Sequence, residues 1–461
     1  MNRRFTSSCF LIFISLFFGL ALKGQINPVM GTADFKNQIL SYLNILTLNK
    51  EELIPIENRL SYELKEPKNF ILFQEIILEK LQENPDDLNL AELLSWQYIR
   101  QKQFDKAIIQ EIALDKREKG DGFRLLNLGR ICFRNEDLKN SVFCYDYILK
   151  KGKEAKLYRL AKKERLKSLE FESEESGIDQ VSLHTDYQEF IHEFNVGEDV
   201  DEVKLNLAKL DIEYLGKVEE ARQILSTLLL SNSNTLTFKA ECKFSLAKAD
   251  LLKGLVWESA LLFNQVHFDF KEEPLGQEAL FEASKIYYYT GDFKLAKSEL
   301  DVLKTATSDV TANDALDLSL LIQKNLEEDS TGLALRLFAR SELYIYQHRL
   351  VEAEKILDSI SSNYPHNSLA DDILMAKYRM AFFVKNYVSA FNNLEKIILS
   401  YPRGIWADNA LFLLGELNEK SFKNPQKASE YYEKLILNYP GSYFVAESRK
   451  RFRKLRGDSL N

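Results

Sequence analysis

From residue 88 onward the apolar positions recur at a spacing of three or four, in stretches of helical length broken by short polar turns. The segment "RLFARSELYIYQHRLVEAEKIL" (336–357) reads helix, turn, helix, and "ILMAKYRMAFFVKNYVSAFNNLEKII" (373–398) reads the same way. In the second helix of each pair a small residue is followed by a large apolar one four positions on and another three further. The sets are Ala353/Leu357/Ile360, Ala390/Leu394/Ile397 and Ala428/Tyr432/Leu435. These three positions lie on one helix face, and the small member marks where another helix backbone comes close. Period-two alternation is scarce, and no Asn-Gly or Asp-Gly turn joins two apolar runs, so strands are not expected. With 18 Gly and 9 Pro in 461 residues, long helices with short connections are.

The end of each pair is marked as well. Tyr364-Pro365, Tyr401-Pro402 and Tyr439-Pro440 are spaced 37 and 38 residues apart. Proline has no backbone donor and its ring clashes with the preceding turn, so it ends a helix and moves the residue before it out of helical geometry. Each Tyr-Pro is therefore read as a joint between stacked helical hairpins, with the tyrosine ring packing on the neighbouring unit. After the first joint, Ser368 to Asp371 reads as a capping-box-like start of the next helix, with the acids Asp371 and Asp372 in its first turn. Glu198 and Asp199 read as another such helix start.

The same grammar extends upstream. "LLSWQYIRQKQFDKAIIQEIAL" places Ala107 34 residues before Ser141, which lies in "LLNLGRICFRNEDLKNSVFCYDYIL" with Leu128-Gly129, Tyr145 and Ile148. "LAKLDIEYLGKVEEARQIL" has Ala221, and "FSLAKADLLKGLVWESALLFNQV" has Ser259, Phe263 and Val266. "ALFEASKIYYYTGDFKLAKSELDVL" has the turn Thr290-Gly291-Asp292, then Ala296, Leu300 and Leu303. These residues resemble the tetratricopeptide repeat (TPR) family, whose unit is a helix-turn-helix of about 34 residues with small, aromatic and proline positions at fixed offsets. The resemblance covers about eight units between residues 88 and 445. It implies an all-α, right-handed superhelical solenoid. The period breaks twice: Ala296 and Ala353 are 57 apart, so 305–332 is an insertion with its own helix, and 153–200 is a charged helix, a polar loop and another helix. A boundary is placed near Gly177, giving helical arrays at 27–176, 177–335 and 336–461.

Ahead of the arrays, Arg3 and Arg4 precede the apolar stretch Cys9–Leu22, which is sized for a secretory leader and short for a membrane span. Cleavage is expected near residues 21–25, after Gly19-Leu20-Ala21 or after Gly24. Removing Arg3 and Arg4 takes the formal charge from −8 to −10, and loss of Lys23 takes it to −11. That acidity argues against nucleic-acid binding. Cys9 opens the apolar stretch instead of closing it, so it does not sit at a lipoprotein junction. No later run is of membrane-spanning length, and the expected setting is the periplasm or the outer-membrane surface. Cys132, Cys144 and Cys242 remain; the first two are read as a bridge or as two buried thiols.

No constellation for catalysis, cofactor or metal is found. His184, His192, His267, His348 and His366 have no ligand spacing beyond a single Glu189-x-x-His192, and there is no HExxH, CxxC, phosphate-cradling glycine loop or GxSxG. The run Tyr287-Tyr288-Tyr289 is an aromatic platform or, on the simpler reading, a helix with one or two rings in the core. The last helix, "ESRKRFRKLRG", gathers Arg449, Lys450, Arg451, Arg453, Lys454 and Arg456, either as a solvated cap or as a basic contact for an acidic partner or a membrane surface. The resemblance to TPR proteins, which commonly serve as adaptors in Gram-negative envelopes, implies a non-enzymatic scaffold holding a segment of another envelope protein in a concave groove. A helical glycan-binding protein is the alternative.

Overall fold

The computed structural model describes residues 32–176, 180–231, 234–304, 309–329, 331–365 and 367–458. The leader, Gly177 and His366 lie outside these residues. Among the described residues all regular structure is helical, and the chain divides into two compact units, Met1–Glu172 and Ser173–Asn461.

In the first unit, α1 (Thr32–Leu48), α2 (Leu53–Glu63) and α3 (Pro67–Glu83) precede the hairpin α4 (Leu88–Arg100) and α5 (Phe104–Arg117). A second hairpin follows, α6 (Phe123–Arg134) with α7 (Leu138–Leu149), and α8 (Tyr158–Ser176) runs on past the unit boundary. One apolar core extends from Phe35 through Tyr145 to Ala161.

The second unit begins with α9 (Gln180–Phe194) and the hairpin α10 (Glu198–Leu210) and α11 (Val218–Leu230). Then come α12 (Leu236–Leu252) with α13 (Val256–Asp269), and α14 (Pro274–Thr290) with α15 (Phe293–Leu303). The inserted helix is α16 (Asp309–Glu328); it packs on α15 and α14. Three more hairpins follow: α17 (Leu333–Tyr346) with α18 (Leu350–Asn363), α19 (Ala370–Phe383) with α20 (Tyr387–Ser400), and α21 (Ala407–Glu416) with α22 (Pro425–Asn438). A final helix, α23 (Val445–Arg456), packs on α22.

All eight small residues picked out by spacing sit at the centre of their hairpins. Ala107, Ser141, Ala221, Ser259, Ala296, Ala353, Ala390 and Ala428 are each 0% exposed. Each has a counterpart at a near-constant offset on the first helix. Twelve residues earlier lie Ser95, Gly129, Ala247, Ser284 and Ser341, all buried. Where the small residue is serine, its hydroxyl also satisfies a carbonyl across the contact: Ser141 Oγ donates to Gly129 O at 2.9 Å, and Ser259 Oγ to Ala247 O at 2.7 Å. In two hairpins the partner is thirteen residues back, Ala208 and Gly415. The extra residue is absorbed by a π-helical turn ending the first helix, at Asp211–Leu215 and at Leu417–Ser421. The α19/α20 hairpin departs from the rule, with Tyr378 in the partner position.

Two partners are glycine for a steric reason. A Cβ at Gly129 would lie 2.7 Å from the Tyr145 ring, and one at Gly415 2.4 Å from the Tyr432 ring. Both tyrosines occupy the large position four residues after the small one, so a methyl group has no room.

The turns share a second rule. Five residues before every small residue the chain takes a positive φ, at Lys102 (55°), Glu136 (63°), Gly216 (67°), Gly254 (83°), Gly291 (82°), His348 (59°), Lys385 (59°) and Lys423 (52°). A left-handed residue closes the first helix and turns the chain into the second.

At the joints, Tyr364, Tyr401 and Tyr439 terminate α18, α20 and α22 with φ between −129° and −131° and ψ of 53–62°. They have left helical geometry while stopping short of fully extended ψ. Asn84, before Pro85, does the same. Tyr439 Oη donates to Pro402 O at 2.6 Å, bonding one joint to the previous one. The capping-box reading of 368–371 is corrected: α19 has no side-chain cap, and Ser368 Oγ instead donates to Asn325 Oδ1 of α16 at 2.7 Å. Asp371 and Asp372 are in the first turn but buried, because the next joint folds over them.

Candidate functional site

The first helices of the second unit are stitched to one another by polar side chains. Tyr288 of α14 donates its hydroxyl to Glu342 Oε2 of α17 at 2.9 Å, and Arg379 Nη2 of α19 donates to Glu342 Oε1 at 2.7 Å. One carboxylate thus ties three hairpins. Further along, Trp406 Nε1, at the start of α21, donates to Asp372 Oδ1 of α19 at 2.7 Å. Burial drives the Asp372 carboxyl up to about 7; Asp371 and Glu342 add to this, while Trp406 and Lys324 oppose it. Arg379 contributes an unusual element. Its side chain is 29% exposed, yet its Nε–H is shielded from solvent and finds no acceptor among the described residues. Of the tyrosine run, Tyr288 is fully buried, and Tyr287 and Tyr289 are half-buried against the same core.

In the first unit a cleft of about 410 Å³ opens between α5 and α6, lined by Glu111, Asp115, Glu118, Asp121 and Arg124 among others. Glu111 stands four residues after Ala107, the slot that Tyr145, Phe263, Leu300, Leu357 and Leu394 fill in other hairpins. It is buried and accepts from Ser95 Oγ at 2.6 Å. Burial raises its carboxyl above the usual range, and the Ser95 bond and Arg124, 3.7 Å away, pull it partly back. Arg124 also bridges to Glu92 at 3.0 Å and Glu118 at 2.9 Å. Asp115 behaves oppositely. Burial opposes its charge, but Lys151 Nζ (2.6 Å), Tyr147 Oη (2.9 Å) and the Gly122 amide (2.9 Å) outweigh it and hold its carboxyl low.

In the basic helix, Arg449, Lys450, Arg453, Lys454 and Arg456 are exposed. Arg451 is a correction. It turns inward, bridging Glu416 (3.0 Å), Glu419 (3.2 Å) and Glu447 (3.0 Å), and serves as an internal clamp on the last hairpin. Glu189 and His192 are both exposed, and no group of three or more His, Cys, Asp or Glu is placed to hold a metal ion among the described residues. Cys132 and Cys144 are free, buried thiols. No described helix is long and apolar enough to cross a membrane.

Residue spacing marks the hairpin centres and the joints but not Glu111, the Tyr288–Glu342–Arg379 ladder or the Asp372–Trp406 bond. A carboxylate four residues after Ala107 was the one visible signal among these.

Small-residue contacts, left-handed turns and Tyr-Pro joints, repeated through a stack of helical hairpins, define a helical-repeat solenoid. Within it, residues 409–442, which run from α21 through the joint at Tyr439-Pro440, match the tetratricopeptide repeat family. Solved structures align with the chain at low identity. A tetratricopeptide repeat protein from Parabacteroides merdae is 14% identical over 64% of this chain and 99% of its own, with a TM-score of 0.28. The TPR domain of P58(IPK) is 14% identical over 88% of this chain and 98% of its own (TM-score 0.23). The apo form of RapI is 13% identical over 84% of this chain and 100% of its own (TM-score 0.35). No curated protein matches the chain. The fold assignment rests on the hairpins themselves and on the matched repeat.

Proposed function

We propose that the protein is a non-enzymatic interaction scaffold of the bacterial cell envelope. In this reading it is exported by its N-terminal leader to the periplasm or the outer-membrane surface, where it holds an extended segment of a partner protein. The segment lies along the first helices of the second unit, over the groove that such stacks present to peptides. The observation that carries the proposal is the Arg379 Nε–H without an acceptor, beside the Tyr288–Glu342 bond. An unmet buried donor costs on the order of 1–3 kcal/mol. A partner carbonyl or carboxylate that meets it, after a small turn of the partly exposed guanidinium, recovers that energy on binding. The leader pattern and the acidic charge of the chain support the setting.

The test is affinity for the partner recovered by crosslinking in intact cells. Arg379→Ala should weaken binding about 10-fold, the loss of roughly one charge-assisted hydrogen bond. Unchanged affinity in a folded Arg379→Ala protein removes the groove from the account. Capture of polysaccharide and no protein replaces the adaptor reading with the glycan one.

A further inference from the structure

The last helix carries a surface that the scaffold reading does not use. Val445, Ser448 and Arg451 of α23 are buried, and Phe452 and Leu455 pack on the core that α22 helps to form. The opposite face presents Arg449, Lys450, Arg453, Lys454 and Arg456. The 449/453/456 and 450/454 spacings put all five on one side of the helix. The only acid of the helix, Glu447, is engaged by Arg451. Arg456 reaches Asp458 at 3.6 Å, and the other four cations form no ion pair among the described residues. Solubility asks for mixed surface charge, not for one sign gathered on one helix of a chain with a formal charge of −8.

The geometry points to a docking face for a membrane surface rich in anionic phospholipid headgroups. A single convex helix brings all of its outward cations onto a flat anionic surface at once, whereas an acidic protein would need a concave row of carboxylates to match them. Tyr443, 88% exposed beside the start of α23, adds an aromatic residue of the kind that favours the headgroup layer. The outward face has no large apolar side chain to insert, so the contact is Coulombic, reversible and sensitive to salt. This face is separate from the Tyr288–Glu342–Arg379 ladder, and either can fail without the other.

The test is co-sedimentation of the full mature chain with vesicles of phosphatidylcholine alone or of an equal mixture with phosphatidylglycerol. Binding is expected to the mixed vesicles alone, at about 0.05 M salt, and to be lost at about 0.5 M. The exposed quadruple variant Arg449→Gln/Lys450→Gln/Arg453→Gln/Lys454→Gln, checked for unchanged helicity, should lower partitioning by roughly 600-fold, since each of the four cations near such a surface contributes about 5-fold. A control, Lys385→Gln/Lys423→Gln/Lys427→Gln, removes exposed charge elsewhere and should bind as the parent does. The proposal is overturned if the parent ignores the mixed vesicles, if the quadruple variant binds as well as the parent, or if the control loses as much. Retention on immobilised polyglutamate without vesicle binding assigns the face to an acidic protein instead.

Discussion

The left-handed turn residues offer a clean test of how the hairpins are closed. Lys385 and Lys423 have φ of 59° and 52°, and their exposed side chains make no hydrogen bond or ion pair among the described residues. Replacing either with glycine therefore changes little but the backbone. A side chain in the left-handed region costs about 1–2 kcal/mol. Glycine returns about 0.5–1 kcal/mol of that through its freer unfolded chain. The net gain expected is about 0.5–1 kcal/mol per site, and the two sites, in successive hairpins without shared contacts, should add. The reciprocal change is Gly254→Ala, where φ is 83° and the nearest atom to a new Cβ is Gln347 Nε2 at 3.9 Å. With no clash to relieve, its expected loss of about 1 kcal/mol reports the backbone alone. Urea denaturation followed by far-ultraviolet circular dichroism reads both, provided the m-value is unchanged. A Lys385→Gly/Lys423→Gly protein no more stable than the parent, together with a neutral Gly254→Ala, would show that the left-handed backbone at these turns carries no such cost.

Other consequences follow from the buried groups. Asp372 has a folded-state pKa of about 7 against 3.8 for the free side chain, so its contribution to stability is full below about pH 4, declines as pH rises towards 7, and stays low above that. The ceiling of that loss is about 4 kcal/mol. Asp372→Asn keeps an oxygen for Trp406, and should flatten the decline between pH 4 and 7 and stabilise the protein at pH 8; a variant as pH-dependent as the parent would clear Asp372 of the effect. Gly415→Ala drives a methyl group into the Tyr432 ring and should cost about 2–3 kcal/mol. Pairing it with Tyr432→Leu should recover part of that loss, and no recovery would mean that the ring is not the obstacle. Glu111→Leu restores an apolar residue to its slot and should raise the thermal midpoint at pH 8, where the buried carboxyl is most costly; a lower midpoint would show that the Ser95 and Arg124 bonds outweigh burial.

What the sequence made legible were positions where sterics leave few options. A small residue between two helix backbones and a proline at a helix end tolerate little variation, so Ala107 to Ala428 and the three Tyr-Pro joints were visible from spacing alone. The left-handed turn was half hidden, because glycine marks it at Gly216, Gly254 and Gly291 while Lys, Glu and His occupy it elsewhere. The π-helical turns shifted Gly415 out of the twelve-residue register that Gly129 obeys. The ladder was not legible, since Tyr288 and Glu342 are 54 residues apart and Asp372 and Trp406 are 34 apart. Only stacking brings them together. Arg451 shared the sequence pattern of its neighbours, and the single-residue step of about 100° around the helix that separates it from Lys450 converts a surface cation into an internal clamp.

On the function proposed above, a partner segment lies along the first helices of the second unit. A photo-crosslinking residue placed in intact cells at Tyr289 and Tyr346 on first helices, and at Lys297, Glu354 and Glu395 on second helices, tests this directly. One protein adduct is expected from the first-helix positions and little from the second-helix ones. Equal capture from both sets, or capture from the second helices alone, would contradict it.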